Sequence, residues 1–247
     1  FSPYYFNQEM AIRLCSCVPI LVETDHSGKF DFQHLIDSVS IRTRAIVTVS
    51  PNNPTGAVYS EEILRSINEI CCLKGIYHIS DEAYEYFLYE DARHFSPGSI
   101  SNGSGVTVSL FSLSKSYGFA SWRIGYAVIP EKLLPDFRKV QDTNLICPTL
   151  ISQHAAAAAL EEGPDYCRLY IHNLANVRTQ LIDSLNTIDK KIRVMPSSGA
   201  FYLFLELPDF YGNDFLLAKK LIESYKVAVI PGSAFGVVGK CNFRVSY

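Results

Sequence analysis

Ser112-Leu113-Ser114-Lys115-Ser116-Tyr117-Gly118-Phe119-Ala120-Ser121-Trp122-Arg123-Ile124-Gly125 is the stretch around which the sequence is organised. Val106 to Phe111 before it reads as a strand, and Arg123 to Ile129, closed by Pro130, reads as the next. A lysine therefore stands between two strands, flanked by hydroxyls, with an arginine eight residues on. Amine, hydroxyls and guanidinium can converge there on one small anionic ligand. An ordinary lysine, with a pKa near 10.4, is almost wholly protonated at pH 7 and a poor nucleophile. One that forms a Schiff base with a carbonyl cofactor becomes a covalent anchor and, once released, a general base. On this stretch alone a serine-rich loop with solvated charges remains an equal alternative.

Upstream the pattern repeats. Ile76 to Ser80 is strand-like, with Asp81-Glu82-Ala83-Tyr84 at its C-terminal end, and Arg44 to Val49 is strand-like before Ser50-Pro51-Asn52-Asn53-Pro54-Thr55-Gly56. Two prolines, two asparagines and a glycine in seven residues force a constrained turn. A helix follows, with Ser60 as N-cap, Glu61 and Glu62 in its first turn, apolar Ile63, Leu64, Ile67, Ile70 and Cys71, and Lys74-Gly75 as its stop. Alternating strands and helices with short connections predict an α/β fold, a mostly parallel sheet covered by helices. Ligands of such sheets bind beyond the C-terminal strand ends. Asn53, Asp81 and Ser112 to Lys115 all fall at such ends.

Ahead of this region, Tyr4 to Leu14 has helical spacing, Val18 to Val22 reads as a short strand, and Asp31 caps a brief helix to Ile36. Beyond Pro130 the pattern turns helical: Leu133 to Asp142, Leu150 to Glu162, and one long amphipathic helix from Asp165 to about Asp189. The expected division is a large domain over 1–164 and a smaller C-terminal α+β domain over 165–247. The latter has strands at Gly199 to Leu207, Val227 to Ile230 and Asn242 to Tyr247, and a helix over Asp214 to Tyr225. Phe201, Tyr202 and Phe204 read as core. Arg244 lies inside an apolar strand, which is costly unless it is paired. It is either half of a structural salt bridge or a fork for a substrate carboxylate.

With 247 residues, 48% hydrophobic and 19% charged, the chain is globular, and a net charge of -3 with no run of like charge argues against nucleic acid as a partner. No apolar stretch reaches membrane-spanning length and no signal-peptide pattern opens the chain. Seven cysteines without CxxC or zinc spacing read as small buried hydrophobes in a reducing, cytoplasmic setting, and no metal site is expected. His26, His34, His78, His94, His154 and His172 are scattered and read as surface or packing residues, and Trp122 reads as packing. The chain opens on Phe1, without Met, at what reads as a strand end, so a fragment is expected.

Taken together, the lysine stretch, Asn52-Asn53-Pro54-Thr55-Gly56, Asp81-Glu82-Ala83-Tyr84 and the terminal Asn242-Phe243-Arg244-Val245-Ser246-Tyr247 resemble the class I aminotransferases that use pyridoxal 5'-phosphate. The resemblance covers essentially the whole chain, and the four motifs stand in the family's order and spacing. It implies the large-domain fold of that cofactor's type I transferases and a ping-pong exchange of an amino group between an L-amino acid and a 2-oxo acid. Glutamate with 2-oxoglutarate is implied as one half of the exchange.

By motif, Lys115 resembles the lysine that binds the cofactor carbonyl and moves the proton. Asp81 resembles the carboxylate that keeps the pyridinium nitrogen protonated. Asn53 and Tyr84 are similar to the pair on the phenolic oxygen, and Ser112, Ser114 and Arg123 to the phosphate contacts. Tyr5, in Pro3-Tyr4-Tyr5, falls where the family stacks an aromatic ring on the cofactor. Arg244 resembles the arginine that grips the α-carboxylate, with Asn53 beside it in substrate binding. Ser121 stands where the family more often has Gly, Ala or Asn. The family carries, ahead of this point, a phosphate-binding loop and a segment covering the substrate, and is usually a homodimer.

Three rivals follow. A lyase or synthase of the same fold would use the same cofactor residues. A piece that keeps the fold without turnover would bind cofactor only. Ser112-Leu113-Ser114-Lys115 also fits the Ser-x-x-Lys of penicillin-binding enzymes, with Tyr5-Phe6-Asn7 as a Tyr-x-Asn. That last fit lacks a Lys-Thr-Gly strand after the serine, and its Tyr-x-Asn lies on the wrong side.

Overall fold

The structure, a computed structural model, describes residues 1–25, 29–101, 105–188, 190–208, 212–237 and 241–247. His26 and Asp189 lie outside the described residues. In chain order the first elements are α1 (Phe6–Leu14), α2 (Phe32–Ser38), β1 (Ala45–Val49), α3 (Glu61–Lys74), β2 (Tyr77–Asp81), β3 (Thr107–Ser112), α4 (Leu113–Ser116) and β4 (Gly125–Val128). Then come α5 (Leu134–Asn144), α6 (Leu150–Glu162), α7 (Asp165–Ile188), β5 (Arg193–Val194), β6 (Tyr202–Leu207), α8 (Asp214–Lys220), β7 (Ile230–Pro231) and β8 (Cys241–Ser246).

Two compact units form. One comprises 41–51 and 59–171, the other 1–40, 52–58 and 172–247. These differ from the expected 1–164 and 165–247: the division falls seven residues into α7, and the first forty residues and the 52–58 turn group with the C-terminal part.

In the unit containing 59–171, the sheet order is β1-β2-β3-β4, parallel except for the antiparallel β3–β4 pair. This is the expected mostly parallel α/β sheet. α3 begins where Ser60 Oγ accepts the Ile63 N–H and ends where Gly75 adopts φ 64°, a left-handed cap that suits glycine. Its buried face, Leu64, Ile67, Asn68 and Cys71, recurs at helical spacing against β1 and β2.

Among these apolar residues sits a polar network. Asn68 Nδ2 donates to Thr107 Oγ1 (2.7 Å) and faces His78 Nδ1 (3.3 Å), while His78 Nε2 meets Thr48 Oγ1 (3.0 Å). All four residues are buried, so each donor needs its acceptor, and the network ties β1, β2, β3 and α3 together. An amide N–H facing Nδ1 makes that nitrogen an acceptor, so the ring is neutral and donates from Nε2. Burial lowers its pKa to about 4.

In the other unit, an antiparallel sheet of order β5-β6-β8-β7 alternates its faces. Leu207, Cys241 and Phe243 lie with Val229 and with Ala218 of α8 in one cluster. Phe204 joins Met195, Phe235 and Phe6 in another. α8 starts at Asn213, whose Oδ1 accepts the Leu216 N–H, and its Asp214 accepts from both N–H and Oγ of Ser233. α1 is tied to the same turn: Tyr4 N–H donates to Phe235 O (3.1 Å). The Tyr4 ring fills the space a side chain at Gly236 would need, 2.2 Å from Cβ to Cε1.

Several expectations are corrected. Val18 to Val22 is not a strand: Val18 and Ile20 are exposed, Pro19 has no N–H to pair, and only Val22 is buried. The strand expected over Val227 to Ile230 is reduced to Ile230–Pro231, and the helix begun at Asp214 ends in a π-turn, Leu221–Tyr225. Of the seven cysteines, all free, only Cys71, Cys167 and Cys241 are buried; Cys15, Cys17, Cys72 and Cys147 lie on the surface. Among the described residues no helix is long and apolar enough to cross a membrane.

Because His78 holds its proton less tightly when folded, the unfolded chain takes it up first as pH falls, and stability drops between pH 6.5 and about 4. Urea unfolding at pH 7.5 and 4.5 is expected to differ by on the order of 2 kcal/mol from this residue. The variant His78→Asn should lose that component; an unchanged pH slope would exclude His78 as its source.

Candidate active site

The parallel strands deliver their C-terminal ends to one sheet edge. Val49 of β1 is in register with Asp81 of β2, Asp81 with Leu110 of β3, and Ser112, the last residue of β3, with Gly125, the first of β4. Asp81 is half-buried. Its Oδ1 accepts the Ala83 N–H (3.2 Å), and its carbonyl accepts the Ser50 N–H (3.1 Å). Tyr84 is buried, its ring edge-on to Phe87. At the next strand end Ser112 Oγ accepts the Ser114 N–H (3.2 Å) and caps α4, a single turn that carries Lys115 exposed on its surface. Leu113 and Tyr117 anchor that turn in a cluster with Ala156 of α6.

Arg123 adopts φ 52° and donates from Nη1 to Ala120 O (2.7 Å). It lines a cleft of about 500 Å³ together with Trp122, Cys147 and Ser152. Trp122 stacks on Phe119 at 5.3 Å and is otherwise exposed on the cleft. One edge thus carries an amine, a carboxylate, a phenol, two serine hydroxyls and a guanidinium. That donor set matches a phosphorylated pyridine aldehyde: amine for the carbonyl, carboxylate for a ring nitrogen, hydroxyls and guanidinium for the phosphate.

Asn53, Tyr5 and Arg244 lie in the other unit. Asn53 is buried, and its Oδ1 accepts from Arg244 Nη1 (3.0 Å), joining residues 191 apart in sequence. The turn that places Asn53 is fixed internally by Asn52, whose Oδ1 accepts from Thr55 N–H and Oγ1 and whose carbonyl accepts the Gly56 N–H. It is fixed externally by Gly56, whose carbonyl accepts the N–H groups of Ser198 (2.9 Å) and Gly199 (2.8 Å). Gly56 has φ 74°, and a Cβ there would stand 2.1 Å from Ser197 Oγ and 2.7 Å from Gly199 O. Tyr5 precedes α1 with its ring against Phe6 (4.8 Å) and its hydroxyl accepting from Asn7 Nδ2 (2.8 Å).

The salt bridge considered for Arg244 is absent among the described residues. Its guanidinium lies over the rings of Tyr202 (4.4 Å) and Phe235 (5.2 Å).

Sequence reasoning passed over the residue after Asp81. Glu82 is fully buried, with its carboxylate against His94 Nε2 (2.8 Å) and Ser96 Oγ (3.0 Å) and its N–H donating to Leu110 O. His94 is thus a partner of a buried carboxylate. His34, His154 and His172 are exposed as expected. Three residues on, burial pushes the Glu85 carboxyl up to about 7, against the pull of His94. The signal for the Glu82 site was a carboxylate pair at a strand end, since neighbouring residues of an extended chain point to opposite sides.

The model of a family described as "Aminotransferase class I and II" matches residues 1–247. The probable aspartate/prephenate aminotransferase of Aquifex aeolicus is 38% identical over 257 residues, taking in 100% of this chain and 64% of its own length. The aromatic aminotransferase ISS1 of Arabidopsis thaliana is 35% identical over 255 residues, with 100% and 63% covered. Among solved structures, the aromatic aminotransferase from Pyrococcus horikoshii OT3 superposes with a TM-score of 0.93 at 30% identity, covering 100% of this chain and 66% of that one. A double mutant of the Thermus thermophilus aspartate aminotransferase gives 0.90 at 30%, covering 100% and 64%. The chain spans about 64% of the length of the first of these curated relatives.

Gly56→Ala is expected to destabilise its unit. The left-handed conformation alone costs a side chain about 1–2 kcal/mol, and the Gly199 carbonyl is backbone that cannot swing aside. Urea unfolding should show a loss of at least that size, and Ser197→Gly in the same chain should recover only part of it. A loss under about 0.5 kcal/mol, the scale of an ordinary surface change, would mean that the close approach does not constrain the turn.

Proposed function

The chain belongs to the class I and II aminotransferases, and from that premise we propose that it is the greater part of a transaminase that uses pyridoxal 5'-phosphate to move an amino group between an L-amino acid and a 2-oxo acid by a ping-pong sequence. The observation that carries the reading is Lys115, the exposed residue of a single turn otherwise anchored in the core, at the C-terminal sheet edge that also carries Asp81. When bound, the cofactor supplies an electron sink for the charge left when a proton leaves Cα.

The chain's own residues supply the rest. Lys115 holds the cofactor through its Nζ and, once free, takes and returns the proton as general base. Asp81, oriented by the Ala83 N–H, gives a fixed negative charge that keeps the ring nitrogen protonated. Ser112, Ser114 and Arg123 hold the phosphate; the Ser112 oxygen that accepts the Ser114 N–H keeps its own proton to donate. Tyr84 and Asn53 donate to the phenolic oxygen, and Tyr5 offers its ring face to the cofactor. Arg244 takes the α-carboxylate, with Asn53 beside it. Apolar residues exposed on and after α5, including Val140, Leu145 and Ile146, support assembly as a homodimer. The free cysteines support a reducing, cytoplasmic setting.

Purified chain mixed with pyridoxal 5'-phosphate should develop a protein-bound visible absorption band that glutamate alters and that Lys115→Ala lacks. Asp81→Asn should keep much of the binding but slow transfer about 10²-fold or more, the scale seen on removing one preorganised electrostatic partner. A band of equal strength in Lys115→Ala would refute the assignment of that lysine.

A further inference from the structure

We propose that Tyr202 and Phe235 are positioning residues: their ring faces hold the Arg244 guanidinium in place of a protein carboxylate, so that its charge stays available for the carboxylate of the substrate. This rests on the reading that Arg244 binds that group.

Arg244 stands in the middle of β8, in register with Phe204 on β6 and Ile230 on β7. A cation in such a place ordinarily needs an anion, because desolvating it unpaired is costly. Among the described residues none is paired with it. Its Nη1 donates to the neutral Asn53 amide oxygen, its Nε is buried without a hydrogen-bond partner, and its Cζ lies 4.4 Å from the Tyr202 ring centre and 5.2 Å from that of Phe235.

Those distances are within the range of cation–π attraction, which grows stronger where water is excluded. Here the rings are shielded from water, Tyr202 being 5% exposed and Phe235 not at all, and Arg244 between them is half-buried. The rings are themselves fixed. Phe235 packs edge-on to Phe204 (6.1 Å) and against Phe6 (5.8 Å), and Tyr202 lies against Phe201 (4.8 Å).

A carboxylate in their place would also fix the arginine, but it would occupy the two parallel N–H donors that make a guanidinium a bidentate partner for another carboxylate, and cancel its charge. Ring faces accept none of those hydrogen bonds. Asn53 uses one N–H and sets how the fork is turned. Stacking therefore lets the sheet hold a positive charge that is oriented, partly desolvated and not neutralised.

The test compares the 247-residue chain with Tyr202→Leu, Tyr202→Phe, Phe235→Leu and Arg244→Lys, reading 2-oxoglutarate binding by calorimetry and the Arg244 Nε–H resonance by NMR. Tyr202→Leu and Phe235→Leu should each weaken binding about tenfold and reduce the ring-current shift of that resonance, the nearer Tyr202 ring accounting for the larger part. Tyr202→Phe, which keeps the ring face, should keep both. If the leucine variants bind as the parent does while Arg244→Lys loses binding, the positioning role is wrong and the carboxylate assignment stands. If Arg244→Lys binds as tightly as the parent, the carboxylate assignment itself fails. Should Phe235→Leu not fold, the Tyr202 pair decides. An unshifted Arg244 Nε–H resonance in the parent chain overturns the proposal outright.

Discussion

Parallel pairing is the constraint on which the lysine-bearing unit depends. Two parallel neighbours must each finish at the same edge, so every return through α3 or through the segment after Tyr84 brings a new loop to the edge where the last one ended. Asp81 and Ser112 need no contact in sequence to be neighbours there. The antiparallel β4 then starts where β3 stops, which sets Arg123 just before the residue paired with Ser112. The polar network of Thr48, His78, Asn68 and Thr107 holds those three strands and α3 in one register from within.

The other unit solves a different problem. Its sheet buries side chains on both faces, and among them stands a half-buried arginine. Close approach of Gly56 to residues 197–199 brings the Asn53 turn against this unit, and the Asn53 amide takes one donor of the arginine. Backbone geometry, amide and aromatic faces thus do together what an ion pair does in most buried sites.

Much of this was legible in the sequence where local chemistry decides. α3 followed from Ser60, its glutamates and Gly75, and α6 came out with the expected ends at Leu150 and Glu162, because capping and periodicity act within a few residues. The positions of Asp81 at the end of β2, of Lys115 just past the end of β3 and of Arg123 just ahead of β4 were legible from strand composition. Long-range properties were not legible. Val18 to Val22 has strand composition, but its backbone meets the chain start only at one end, where Val22 O accepts the Ser2 N–H and Glu23 bridges to Ser2, and a strand is a property of two segments paired along their length. Burial of His78, the pairing of His94 with the buried Glu82, surface exposure of Cys147 and the stacking of Tyr202 on Arg244 all depend on residues brought in from elsewhere in the chain. Glu82 was hidden by its neighbour, since an acidic pair reads as solvated until one member turns inward.

Among the described residues β4 is one of the two outer strands of its sheet, and all four of its residues, including Tyr126 and Val128, are exposed. Such a strand carries a row of backbone donors and acceptors along its free side, a template for any extended segment of matching length. A proline or a charge set into that strand would remove part of the template without touching the interior, because none of its four residues is buried.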